Sequence, residues 1–374
     1  MKVLTNQTLN AFFSLVRAGL WEKEIYLSFF GDIDYKELYR LAEEQAVEGL
    51  VAAGIEHVTD VKIPKEVSLS FVGVALQLEQ RNIQMNEFLG RLNGKIRDAG
   101  IYALVVKGQG VAQCYERPLW RACGDIDFLL GESNYENAKQ LLLPLASSVE
   151  KEGKQGQHLG MTIDSWVVEL HGGLRCGLST RMDQEIEEIL KEVFCGRDIR
   201  SWMNGQEQIL LPGEDSDVVF VFTHFIKHFY KEGLGVRQIC DWCRLLWTFR
   251  ESINRDKLKN RLSRMGLLSE WQAFGAFAVE YLGMPTEAMP FYSPKPKWKR
   301  KAQRICDYIV KVGNFGKNRD VCYFGKYPYF VRKIISLSRR FEVILSHARI
   351  FPLDSIRFFP NMVLYGLWNA VRGE

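Results

Sequence analysis

The chain has no run of eighteen apolar residues, so no membrane-spanning helix is expected. Its start, Met1-Lys-Val-Leu-Thr-Asn6, has no basic segment followed by an apolar one. No secretory signal is therefore expected, and a cytoplasmic protein is the reading. Net charge is small: 49 basic against 45 acidic side chains leave +4 over 374 residues. That permits an anionic partner without demanding one. Internal repeats and low-complexity tracts are missing, which excludes solenoid architectures. The eight cysteines are irregularly spread and read as reduced, mostly buried thiols. Cys240-Asp-Trp-Cys243 has no second pair at zinc-ribbon spacing and lies in an apolar helical run. Two buried thiols are expected there.

What is present is globular: 47% hydrophobic and 25% charged residues, in a length that allows two domains. Three regions are expected: an N-terminal helical region (1–95), a small α/β core (96–200) and a C-terminal helical region (201–374). Asp34-Tyr-Lys-Glu37 reads as a capping box before Leu38, Leu41, Ala42 and Leu50 at helical spacing. A long helix follows Pro64 and ends at Gly100. Ile101 to Val106 reads as a buried strand, and Lys107-Gly-Gln-Gly110 as a turn into a short helix through Tyr115. Asp125 to Leu130 is a second strand, and Ser133 is expected to cap the next helix. Two strands, Gln157 to Ile163 and Trp166 to His171, meet at a turn on Asp164-Ser165. The order β-α-β-α-β-β defines the mixed core of an α+β fold. From Met182 onward the expectation is helix, with Asp215-Ser-Asp217 and Val236 opening two buried ones. Ser293 to Lys301, rich in Pro and Lys, reads as an exposed connection.

The chemistry concentrates in Gly124-Asp-Ile-Asp-Phe-Leu-Leu130. On a strand, side chains alternate, so Asp125 and Asp127 share one face and Ile126 and Phe128 the other. Adjacent carboxylates repel, and a divalent cation between them is the best reason to keep them together. The pattern D-x-D is weak alone: Asp32-Ile-Asp34 has it too, but sits before a helix and reads as capping. Trp166-Val-Val-Glu-Leu-His171 offers a third carboxylate, Glu169, with His171 on the same face. Three carboxylates suit two cations about 3.5–4 Å apart, the arrangement that stabilises entering and leaving oxygens in phosphoryl transfer. Lys107 with Gly108 and Gly110 opens a helix after a strand, a place suited to phosphate oxygens. The P-loop pattern is absent. Arg121 is placed to contact a triphosphate or to fix the loop before Asp125.

Leu104-Val-Val-Lys-Gly108, Tyr115, Arg121, Gly124-Asp-Ile-Asp-Phe-Leu-Leu130 and Val168-Glu-Leu-His171 together resemble the uncharacterised nucleotidyltransferase family. That family lies within the DNA polymerase β-like nucleotidyltransferase superfamily. The resemblance runs over roughly residues 30 to 250, and its specific part is 104 to 171. It implies a mixed sheet with the aspartate pair on one strand and the third acid on another. It also implies metal roles for Asp125, Asp127 and Glu169, and a nucleotide-side role for Lys107, Gly108, Arg121 and Gly124. The superfamily's Gly-Ser signature is replaced here by Lys107-Gly108. The expected activity is transfer of a nucleoside monophosphate from a nucleoside triphosphate, such as ATP, to an acceptor hydroxyl. Pyrophosphate leaves, and Mg2+ or Mn2+ is the expected cofactor. The acceptor is open between a small molecule, RNA such as tRNA, and protein.

Other features have quieter readings. His224 and His228, at i, i+4 on one helix face, read as packing or hydrogen-bonding groups near the site, since H-E-x-x-H is absent. Arg237 and Asp241 are expected to pair with each other or with His228. Lys295, Lys297, Lys299, Arg300, Lys301 and Arg304 form a basic stretch around Trp298. Arg332, Lys333, Arg339 and Arg340 follow among Phe330, Ile334, Ile335, Leu337 and Phe341. Both read first as solvated helix faces, and second as contacts to an anionic partner. A catalytically silent nucleotide-binding or interaction module is the alternative from a different class.

Overall fold

The computed structural model describes residues 6–152, 157–196, 198–316, 318 and 343–358. Four helices open the chain: α1 (Asn6–Trp21), α2 (Tyr35–Gln45), α3 (Glu48–Glu56) and α4 (Lys65–Asp98). Asp34 caps α2 by accepting from the backbone N–H groups of Lys36 and Glu37, the role expected of it. Glu37 binds Arg40, and the Asp34 N–H donates to the Thr8 hydroxyl. α1 and α3 touch backbone to backbone. A Cβ on Gly19 would lie 2.0 Å from the Leu50 carbonyl oxygen, and one on Gly54 2.1 Å from that of Leu15.

The middle of the chain runs β1 (Ala103–Val106), α5 (Gly108–Ala112), β2 (Asp125–Leu130), α6 (Glu132–Leu142), β3 (Ser148–Val149), β4 (His158–Ile163) and β5 (Trp166–His171). Among the described residues these five strands form one mixed sheet in the order β1-β2-β5-β4-β3. β2 and β5 are parallel, and the other neighbours are antiparallel. One sheet face carries Val105, Ile126, Phe128, Val168, Leu170 and Met161 into a core shared with α4 and α6. The other face carries Leu104, Val106 and Leu129 into a larger core. The α+β class with flanking helices holds.

Then come α7 (Thr180–Phe194), β6 (Ile199–Asn204), β7 (Glu207–Pro212), α8 (Glu214–Lys231), α9 (Val236–Thr248), α10 (Arg255–Met265), α11 (Leu268–Leu282) and α12 (Pro296–Val312). The larger core takes residues from α1 to α3 and from α7 to α12, so the helices before and after the sheet pack together. Cys240 and Cys243 are both fully buried in it.

Several expectations need correction. β6 and β7 form an antiparallel hairpin where continuous helix was expected. α6 starts at Glu132 behind Gly131, so Ser133 lies inside the first turn and does not cap it. α5 stops at Ala112, before Tyr115. The stretch Ser293 to Lys301 is no free connection, because α12 begins at Pro296, a residue preset for a helix start. Trp298 is buried there, with Lys297 and Lys301 over its ring. Lys299 pairs with Glu280, and Arg304 donates to the Arg349 carbonyl. Arg332, Lys333, Arg339, Arg340 and the apolar residues among them lie outside the described residues. Among the described residues no helix is long and apolar enough to cross a membrane.

Candidate active site

The parallel pairing of β2 with β5 builds the site. In register, Asp127 stands beside Glu169 and Asp125 beside Val167. Strand alternation puts Asp125, Asp127 and Glu169 on one face, opposite the apolar side chains that fill the smaller core. Carboxylate oxygens of the three lie within 4.8 Å of one another. Lys107 closes the group from the end of β1. Its backbone takes φ 57° and ψ −142°, a strained conformation for a residue with a Cβ. That turn sends Nζ to 3.0 Å from Asp127 Oδ1.

The charges explain the titration behaviour. Burial raises the Asp127 carboxyl, but the Lys107 charge and the His171 hydrogen bond outweigh it and hold it low. Burial likewise works against the Glu169 carboxylate, yet hydrogen bonds from His158 and His171 and the Lys107 charge keep it ionised. Asp125 ends up raised, by burial first and by Asp127 second. Lys107, despite burial, is raised by Asp127, Glu169 and Asp125 in that order. Three carboxylates against one ammonium leave two negative charges. A divalent cation balances that residue, and the oxygen donor set suits Mg2+.

His171 Nε2 lies 2.7 Å from Asp127 Oδ1 and 3.2 Å from Glu169 Oε2. His158, which the sequence reading passed over, lies 3.0 Å from the same Glu169 oxygen. Its signal was the turn. Asp164 and Ser165 both take positive φ, 48° and 72°, the two-residue hairpin type that fixes register. That register sets His158 across from His171 and Gly160 across from Glu169.

The loop before Asp125 is clamped from several sides. Arg121 is buried, and its Nε and Nη2 donate to the two oxygens of Asp241 at 2.7 Å each. Tyr115 donates to Asp241 as well, at 2.7 Å. Asp241 therefore pairs with Arg121 and Tyr115, and the expected pairing with Arg237 or His228 gives way to it. Arg237 donates to the Ala122 carbonyl at 2.7 Å, and Asn82 to that of Arg121 at 2.8 Å. Of the two roles weighed for Arg121, its hydrogen bonds are those of loop fixing. Gly108, with φ 39°, sits close under the Asp125 carbonyl. Gly110 packs against Leu211 of β7, whose Cδ2 a Cβ there would meet at 2.7 Å. Gly124 is exposed, with open space around it.

Lys107, Gly108, Arg121, Asp125, Asp127, Glu169 and Asp241 line a cleft of about 2330 Å³. Four of the six histidines, His158, His171, His224 and His228, belong to its wall. On α8, His224 and His228 face each other at 3.0 Å between Nε2 atoms, and His228 Nδ1 reaches Glu232 at 2.7 Å. Burial, with Lys107 and His228 nearby, pushes His224 well down, so it stays neutral. Arg175, Lys227, Lys231 and Arg237 on the walls are matched by Glu152, Asp183, Glu187 and Glu232, with Arg175 paired to Glu187.

Residues 31–283 match the family of uncharacterised nucleotidyltransferases, and the match spans more than half of the chain. The chain belongs to this family. Nucleotidyl transfer is thereby its general activity. Comparison with curated proteins and with solved structures gives no match.

Proposed function

We propose that this nucleotidyltransferase moves a nucleoside monophosphate from a nucleoside triphosphate to an acceptor hydroxyl, with Asp125, Asp127 and Glu169 holding Mg2+ or Mn2+. The observation that carries this is the three-carboxylate cluster, only partly balanced by Lys107, on the wall of a large cleft lined by charges of both signs. The bound cation would neutralise phosphate charge as it builds up in transfer. Lys107 and Arg237, both lining the cleft beside the carboxylates, serve the phosphate oxygens. The acceptor oxygen bonds to the α-phosphorus, the bond to the bridging oxygen breaks, and pyrophosphate leaves. The acceptor proton must also leave. Glu169 is a weak base for it, since its charge is already satisfied by two histidines. His224 lines the same cleft, but the burial and Lys107 charge that keep it neutral also oppose its taking a proton, so the proton leaves to solvent in the cleft. The cleft exceeds the roughly 300–1,000 Å³ of a single-ligand pocket, which supports room for both substrates.

Incubation with α-labelled and γ-labelled triphosphates in a cell extract tests the reaction type. The α label is expected to appear on one acceptor fraction in Mg2+, with pyrophosphate released. Label arriving only from the γ position would reassign the chain to phosphoryl transfer.

A further inference from the structure

His158 and His171 send their Nε2 atoms to a single atom, Glu169 Oε2, at 3.0 and 3.2 Å. Ligand atoms held about 2.1 Å from one cation, at angles between 90° and the tetrahedral value, stand about 3.0–3.4 Å apart. Each nitrogen already keeps that spacing to the oxygen, and one ligand atom from each of the three residues lies within 4.8 Å of the others. The hairpin creates it. The Asp164-Ser165 turn sets His158 against His171, and Gly160, across from Glu169, carries no side chain, the space beside it being taken by the Glu150 carboxylate. His158 Nε2 is in hydrogen-bond contact with Glu169, and His171 Nε2 lies between Asp127 and Glu169. A cation among the same three atoms takes the place of these contacts.

We propose that His158, His171 and Glu169 form a second cation position, sharing Glu169 with the Asp125–Asp127–Glu169 position. It takes a first-row transition ion such as Mn2+, Co2+ or Zn2+ in preference to Mg2+. Mg2+ demands oxygen donors in near-ideal octahedral geometry, whereas imidazole suits Zn2+ and Co2+ best. Mn2+, which favours carboxylate, is the least demanding of the three and so the strictest probe. The two positions therefore differ in donor set, one all oxygen and one mainly nitrogen. Glu169 is the side chain that joins them, and His171 Nε2, 2.7 Å from Asp127 Oδ1, gives up that contact when it holds the cation. The inference rests on the carboxylates being a cation site, and adds ligands and a metal preference to it.

Pulsed electron paramagnetic resonance of the full-length protein tests this, with Mn2+ added in the presence of excess Mg2+. One Mn2+ is expected to survive the Mg2+ and to show coupling to two directly bound imidazole nitrogens. His158→Gln should lose one nitrogen coupling and weaken Mn2+ binding by about tenfold or more. Circular dichroism confirms that the variant is folded. Mn2+ without nitrogen coupling, its full displacement by Mg2+, or an unchanged His158→Gln would each overturn the proposal. Calorimetry with Mg2+ alone separates the two readings. Mg2+ binding without any nitrogen-coupled Mn2+ leaves the carboxylate position and removes the second one. Nitrogen-coupled Mn2+ without Mg2+ binding does the reverse.

Discussion

Arg121 and Asp241 come from positions 120 residues apart and meet as a buried, two-pronged pair, 2.7 Å at each contact. Burial lowers Arg121, but the Asp241 charge more than restores it, and Asp241 is held low in turn. Arg121→Met strands Asp241 with only Tyr115 to satisfy it, and should cost about 3–5 kcal/mol in urea unfolding. Adding Asp241→Leu should return most of that loss. A single variant as stable as the parent would mean that the pair holds nothing in place. This partnership was not legible in the sequence, since nothing local links Arg121 to Asp241. The opposite holds for Asp125 and Asp127, whose shared face follows from strand alternation alone. Glu169 was legible for the same reason. His158 needed one more step, the register that the Asp164-Ser165 turn imposes.

At the scale of elements, the site depends on close approaches that only glycine allows. A Cβ on Gly49 in α3 would lie 1.9 Å from the Trp120 carbonyl oxygen, in the segment that leads to Asp125. Gly49→Ala must push the two apart. It should cost about 1–3 kcal/mol and, by shifting that segment, lower transfer as well. Thermal melting and the labelled-nucleotide assay check both halves. An unchanged melting temperature would show that the segment gives way freely. The β6–β7 hairpin shows where pattern reading stops. Asn204-Gly205 is a turn signal, but Trp202 and Met203 stand side by side in the sequence and no residue of β6 is buried, so no apolar–polar alternation marks the strand. The start of α12 was obscured in the same way, by prolines and lysines that suit an exposed loop equally well.

Across the whole molecule, the helices on either side of the sheet share one core, and that core holds an unusual acid. Burial, then the neighbouring Asp354, push Glu270 up to about 8 from 4.5. Between those values the folded chain keeps a proton that the unfolded chain releases, so stability falls as pH rises through that window. Glu270→Gln keeps an acceptor for the Tyr230 hydroxyl and cannot ionise. Relative to the parent it should gain about 1–3 kcal/mol on going from pH 5 to pH 8, read from urea midpoints. A difference independent of pH would contradict the raised carboxyl. The class of fold was legible from the order of elements. The shared core was not, because contacts between α1 and α11 or between α3 and the Trp120 segment leave no periodic trace.

The carboxylates remain the centre of the account, and Asp127, which touches both Lys107 and His171, is the most telling among them. The decisive measurement is transfer of α-label by Asp127→Asn beside the parent protein, in Mg2+, with folding checked by circular dichroism. A folded variant whose transfer falls by about a thousandfold, the several kcal/mol a bound cation supplies, is the predicted result. Undiminished transfer by a folded Asp127→Asn would contradict the assignment of the site.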